Sequence, residues 1–149
     1  MATTSYSFLD VNSGFSGPTG SFDLSNGASE EGIKVVMTDA KGILERGADG
    51  RPMHSKVASN IGKITLTLLK NSPVNALLWD AYNAQRTGST SIWGQNNITI
   101  TNLQMGDLIN ASSVAFEKAP DIVNGEKAGT YTWDFLAGDI HSTVSQNAV

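Results

Sequence analysis

The alternation of apolar and polar positions is clearest between Lys63 and Lys70, where Ile64, Leu66 and Leu68 alternate with Lys63, Thr65 and Thr67. That period of two is the signature of a half-buried strand. Asn71-Ser72-Pro73 then reads as a helix start. The Ser72 hydroxyl can accept an otherwise orphaned N–H, and Pro73 at the first helical position loses nothing by lacking one. Val74, Leu77, Leu78, Ala81, Tyr82 and Gln85 follow at i, i+3, i+4 spacing, and Thr87-Gly88 stops the run. The pattern predicts one helix, from about Pro73 to Arg86, with a single inward stripe. Trp79 falls ~130° from the centre of that stripe at ~100° per residue. It is expected either beneath a neighbouring loop or at a subunit interface, where tryptophan is enriched.

Elsewhere the patterning is that of short strands. Tyr6, Phe8 and Val11 suggest a first strand, and Gly14 to Gly20 reads as turn-rich chain. Ser21 to Leu24 and Ile33 to Thr38 are strand-like, with acidic, flexible Glu30-Glu31-Gly32 before the second. Beyond the helix come Ser91 to Trp93, Asn97 to Thr101, Leu108 to Phe116 and Tyr131 to Phe135, separated by turn signals at Gly106-Asp107, Pro120 and Asn124 to Lys127. The tail from His141 is polar and expected to fray. About seven short strands and one helix predict a mainly β fold. It is expected as two packed antiparallel sheets, a β-sandwich or partly open barrel, with one flanking α-helix.

From Asp39 to Ser59 the apolar pattern collapses. Lys41, Glu45, Arg46, Asp49, Arg51, His54 and Lys56 crowd around Gly42, Gly47, Gly50 and Pro52. Some twenty residues without an apolar face exceed most connections in a compact domain, so a functional or disordered loop is expected at about 39–59. Asp49-Gly50 is a candidate hairpin tip within it. Such a composition cannot build its own core and would order on contact with a partner.

At 149 residues, 40% hydrophobic and 16% charged, the chain suits one soluble domain over 1–149. A net charge of −4 argues against gripping phosphates through a basic surface, though not against a surface that DNA slides past. With no cysteine there are no disulfides, thiolate zinc sites or cysteine nucleophiles. The N-terminus has no leader-like basic and apolar regions, and no run approaches the ~20 apolar residues that cross a bilayer, so neither secretion nor a membrane span is expected.

Candidate chemistry is sparse. His54 and His141 stand apart from other ligand types. Gly14-x-x-Gly17-x-x-Gly20 has neither phosphate-loop spacing nor a following helix, and Gly62-Lys63 continues into Ile64 rather than Ser or Thr. Asp10, Asp23, Asp39, Asp107 and Asp134 show no local pairing for acid–base work. No catalytic residue, metal ligand or cofactor is expected.

Several segments resemble the tail tube proteins of contractile-tailed bacteriophages. They are Tyr6-Ser7-Phe8-Leu9-Asp10-Val11, Gly17-Pro18-x-Gly20, Ala48-Asp49-Gly50, Leu68 to Asn75 and Ala115-Phe116-Glu117-Lys118-Ala119-Pro120. The resemblance implies a structural subunit of which six join their inner sheets into a ring. Rings stack into a tube inside a contractile sheath, and double-stranded DNA passes through the bore without specific binding. The type VI secretion tube protein is similar by fold. Sheath, baseplate and tail-terminator proteins are the implied partners, the virion tail the implied location, and the host cytoplasm the place of assembly. Asp39, Lys41, Glu45, Arg46, Asp49, Arg51, His54, Lys56 and Trp79 are the expected inter-subunit contacts. By charge, the bore wall should present Thr, Ser, Asn and acidic side chains. The competing readings are a monomeric carbohydrate- or ligand-binding β-sandwich module and a hydrolase.

Overall fold

The computed structural model describes residues 7, 11–24, 28–102, 106–127 and 129–144. Among them, nine strands and one helix form two antiparallel sheets. The strands are β1 (Val11–Gly17), β2 (Gly20–Asp23), β3 (Ala28–Met37), β4 (Gly42–Arg46), β5 (Pro52–Lys56), β6 (Gly62–Leu69), β7 (Asn96–Asn102), β8 (Asp107–Lys118) and β9 (Thr130–Thr143). Helix α1 spans Pro73–Thr87. Seven strands hydrogen-bond in the order β2-β1-β7-β8-β9-β6-β3, and β4 and β5 pair only with each other.

The large sheet curls. Phe15 on β1 and Phe135 on β9 are three strands apart, about 14 Å in a flat sheet at ~4.8 Å per step, yet their ring centroids lie 6.1 Å apart. Phe116 sits between them, 5.8 Å from Phe15 and 5.1 Å from Phe135. The core is the concave face: Phe15, Ile64, Leu66, Leu68, Ile98, Ala111, Val114, Phe116, Trp133 and Phe135 are all buried. Helix α1 lies across this face. Trp79 packs edge-on against Trp133 of β9 and Tyr82 against Phe116 of β8, while Gln85 bonds Asn96 of β7.

The strand at Lys63 to Lys70 and the capped helix match the sequence pattern; the Ser72 hydroxyl accepts from Val74 N at 3.3 Å. Four differences have physical causes. The stretch Gly14 to Gly17, expected as a turn, is strand β1, because Phe15 is a core residue and the tight turn is confined to Pro18-Thr19. Ser91 to Trp93, expected extended, starts in a 3₁₀ turn, Thr90–Ile92, which the Ser89 side chain caps. The chain from His141 does not fray at once, since β9 continues to Thr143 with His141 opposite Asn110. Glu30-Glu31-Gly32 lies inside β3, whose ladder to β6 is irregular there. The expected strand at Tyr6 and Phe8 falls outside the described residues.

Candidate assembly surfaces

The charged stretch from Asp39 to Ser59 is a β-ribbon rather than a structureless loop. Its turn is the one that Asp49-Gly50 predicts: Gly50 takes φ +86°, Asp49 Oδ1 accepts from Arg51 N at 3.1 Å, and Gly47 N donates to Arg51 O at 2.9 Å. Arg51 and Asp49 also form a 3.4 Å ion pair, too exposed to contribute much. At the base, Lys41 Nζ donates to Val57 O at 3.1 Å. Residues 41–54 are all exposed, and among the described residues no other element packs extensively on the ribbon.

Register sorts its side chains, because directly opposed residues in an antiparallel pair share a face. Ile43 opposes Ser55 and Glu45 opposes Met53, while Leu44 opposes His54, Arg46 opposes Pro52 and Gly42 opposes Lys56. One face is therefore Ile43, Glu45, Met53 and Ser55, with a single acid. The other gathers Leu44 with Arg46, His54 and Lys56 and is basic. Asp49 and Arg51 stand at the tip, Asp39 and Lys41 at the base. Three apolar side chains point into open space, with Ile43 48%, Met53 58% and Leu44 62% exposed.

Trp79 is not part of this cluster. It is partly buried, with its ring centroid 5.2 Å from Trp133 and 6.0 Å from Tyr82. The helix is rotated from the stripe read in the sequence: Leu77 is 45% exposed and Asn75 is buried. Asn75 turns inward because its amide is satisfied there, accepting from Trp133 Nε1 at 3.1 Å and donating to Leu69 O at 2.9 Å. The buried stripe shifts toward position 79, and Trp79 becomes its flank. Its own chain covers much of the ring, which sequence spacing alone could not establish.

Two further surfaces were not legible in the sequence. Among the described residues the sheet ends in two unpaired edges, a short one at β2 and a ten-residue one at β3. On the face away from the helix, β1, β7 and the start of β8 carry Asn12, Ser16, Asn97, Thr99, Thr101 and Asn110, amides and hydroxyls without a charge, with exposed Leu108 opposite Thr101 and Asp23 of β2 beside Gly14 at the border. Toward β6 and β9 this face acquires Lys63, whose ammonium lies 3.0 Å from Glu117 and 3.8 Å from Asp134. The hydrogen bond with Glu117, then the Asp134 charge, hold Lys63 above the ordinary lysine value.

Among the described residues no three His, Cys, Asp or Glu side chains converge on a possible metal site, and no helix is long and apolar enough to cross a membrane. What the molecule leaves open are edges, a ribbon and a polar face.

Comparison with curated proteins returns no match. Among solved structures, the chain is similar to one in the sheath-tube complex of an extracellular contractile injection system, PVC, in its extended state. The TM-score is 0.55 at 17% identity over 89% of this chain and 88% of that one. A chain of the tube-terminating cap of the anti-feeding prophage, AFP, gives 0.56 at 11% over 97% and 95%. One in the AFP baseplate gives 0.55 at 13% over 96% and 97%. At these identities the likeness is one of fold. The family model described as bacteriophage PhiTE tail tube protein matches residues 1–145, nearly the whole chain. The chain belongs to that family: it is a structural tail tube protein of the phage virion tail, not an enzyme.

Proposed function

We propose that six copies of this chain close into a ring, that rings stack into the tail tube inside a contractile sheath, and that double-stranded DNA passes through the bore. The observation that carries this reading is the pair of open edges on one curled sheet. A ten-residue unpaired edge is a liability in a free monomer. Joining β3 of one copy to the β2 side of the next removes both edges and repeats by rotation until the ring closes. The unit that repeats is one domain comprising the whole chain, assembled in the host cytoplasm. Ribbon residues Asp39, Lys41, Glu45, Arg46, Asp49, Arg51, His54 and Lys56 then meet neighbouring copies, while Trp79 contributes at most its exposed edge.

The face of β1, β7 and β8 suits the bore. Duplex DNA carries about one negative charge per 1.7 Å, and a basic wall would hold it by counterion release. Thr99, Thr101, Asn97 and Asn110 offer dipoles without such a grip. Sheath, terminator and baseplate proteins are the partners at the outside and the ends.

Electron microscopy and sedimentation of the purified protein test the reading. Six-fold rings and hollow tubes are expected. A protein that stays monomeric at high concentration, with no edge-paired copies, overturns it and returns the choice to a monomeric ligand-binding module.

A further inference from the structure

Two asparagines are followed directly by glycine, at Asn26-Gly27 and Asn124-Gly125. The first pair lies outside the described residues. The second lies in the connection between β8 and β9, where every residue from Asp121 to Lys127 is exposed. Its composition is that of a turn, yet the backbone there does not require the glycine. Gly125 has no φ in the left-handed region, unlike Gly129 at +75°, and a Cβ on it would meet nothing within 4 Å. Its backbone N donates to no group among the described residues.

Lys70, half-buried just past the end of β6, reaches this pair. Its ammonium donates to Asn124 Oδ1 at 2.8 Å and to Val123 O at 2.9 Å, and it lies 5.8 Å from the Tyr131 ring centroid. The backbone N of Lys70 also donates to Gly129 O at 3.3 Å, so one residue holds both sides of the connection. An ammonium only donates, so the atom it meets is the amide oxygen and not Nδ2. That oxygen is the one that turns negative when a nucleophile adds to Asn124 Cγ, and Lys70 stands where an oxyanion donor would.

We propose that Asn124 is a self-modification site, at which the Gly125 backbone nitrogen displaces the side-chain amide with Lys70 as the catalytic cation. Gly125 N attacks Asn124 Cγ and closes a succinimide ring. The new N–C bond forms as the Cγ–Nδ2 bond breaks, and Nδ2 leaves as ammonia with the proton lost from Gly125 N. The Lys70 ammonium stabilises the tetrahedral oxyanion in between. Water then opens the ring at either carbonyl and leaves aspartate or isoaspartate at position 124. The net change is amide plus water to carboxylate plus ammonium, with no oxidant or other reactant. Glycine is the residue that leaves the attacking nitrogen unshielded, which gives Gly125 a chemical role where the backbone assigns it none. Each converted chain gains one negative charge, from −4 to −5, and the new carboxylate faces the Lys70 ammonium as an ion pair. The reaction needs one chain only and is independent of assembly.

Peptide mapping by mass spectrometry, with isoaspartate labelled by a carboxyl methyltransferase, follows the reaction in purified full-length protein held at mildly alkaline pH. Asn124 should convert to both products, and Gly125→Ala should almost abolish the conversion in a chain with unchanged far-UV dichroism. Asn26 is the control inside each sample. An intact Asn124 amide in protein whose Asn26 has converted overturns the proposal. Lys70→Met should slow Asn124 about tenfold, less than the ~10²–10³ of an oxyanion donor shut away from water, and leave Asn26 unchanged. Lys70→Arg keeps the charge and should restore most of the rate. An Asn124 rate that is equal or higher in Lys70→Met refutes the catalytic role of Lys70.

Discussion

Asn96 is the residue whose removal should cost most per atom. It is fully buried, and its side-chain amide makes a reciprocal pair with Gln85: Gln85 Nε2 donates to Asn96 Oδ1 at 2.7 Å, and Asn96 Nδ2 donates to Gln85 Oε1 at 2.9 Å. Asn96 Nδ2 also donates to Val114 O at 3.0 Å, and Gln85 Nε2 to Thr19 Oγ1 at 3.1 Å. The pair thus ties the last turns of the helix to β7, β8 and the β1–β2 turn. Gly17 has no Cβ where one would strike the Asn96 amide, which fixes that glycine by close approach rather than by turn geometry. Asn96→Ala deletes three hydrogen bonds, at ~1 kcal/mol each, and strands the Gln85 carbonyl, a further ~1–3 kcal/mol. The expected loss is about 4–6 kcal/mol, a large share of a domain stability of ~5–15 kcal/mol. Urea unfolding of the unassembled subunit, followed by tryptophan fluorescence, measures it. Replacing both amides by apolar groups of similar shape, Gln85→Met with Asn96→Leu, leaves no stranded partner inside the pair. That double variant should be more stable than the sum of its single changes by ~1–3 kcal/mol. Additive single effects, or an Asn96→Ala loss below ~1 kcal/mol, would refute the claim that the two amides act as one unit.

Leu78→Asp places a charge where the side chain is wholly buried and should prevent folding, read by loss of far-UV dichroism and soluble yield. Trp79→Ala should leave a folded subunit less stable by ~2 kcal/mol in the same urea titration, since the ring packs on Trp133; an unchanged midpoint would return Trp79 to a purely intersubunit role. Ser113 sits at φ +53° in the bulge of β8, so Ser113→Gly should stabilise by about 1 kcal/mol, seen as a raised melting temperature. Lys63 has a folded-state pKa raised by Glu117 and then Asp134, so its contribution is complete below its unfolded value of about 10.4 and is lost as pH rises through the folded value. Lys63→Met should therefore flatten the alkaline limb of a stability–pH curve, with its small loss seen at neutral pH and vanishing above the folded value.

The sequence makes visible what short-range rules govern. The period of two in β6, the Ser72-Pro73 cap and the Asp49-Gly50 turn are local devices, and the structure has each in place. What stayed hidden depends on partners distant in the chain. Gly14-Phe15-Ser16-Gly17 has turn composition, yet Phe15 belongs to a ring cluster with Phe116 and Phe135, over a hundred residues away in sequence. Asn75, Gln85 and Asn96 are buried polar residues that no hydropathy pattern would place inside; their satisfaction by Trp133 and by each other overrides polarity. Trp79 followed from Asn75, because the inward amide rotates the stripe. Of the assembly surfaces, the ribbon announced itself by the lack of apolar period.

The unsatisfied features of the subunit point in three independent directions, and a tube needs all three. Hydrogen-bonding capacity is left at the edges, along the line that runs from strand to strand. Exposed aliphatic side chains are left at the two strand ends, Leu44 among basic residues and Val123 where Asp121, Asp134 and Lys118 are mixed. A polar, uncharged surface is left normal to the sheet, over β1 and β7. In the proposed assembly edge pairing would generate a ring and end contacts a stack, which leaves the remaining face to solvent or cargo. The charge distribution follows the same division. From Asp39 to Ser59 four basic residues outweigh three acidic ones, so the remainder of a chain of net charge −4 carries −5. In the proposed tube the positive excess of the ribbon meets copies that are otherwise negative, which lowers their mutual repulsion, and the part of the sheet over β1 and β7 puts no Lys or Arg before DNA.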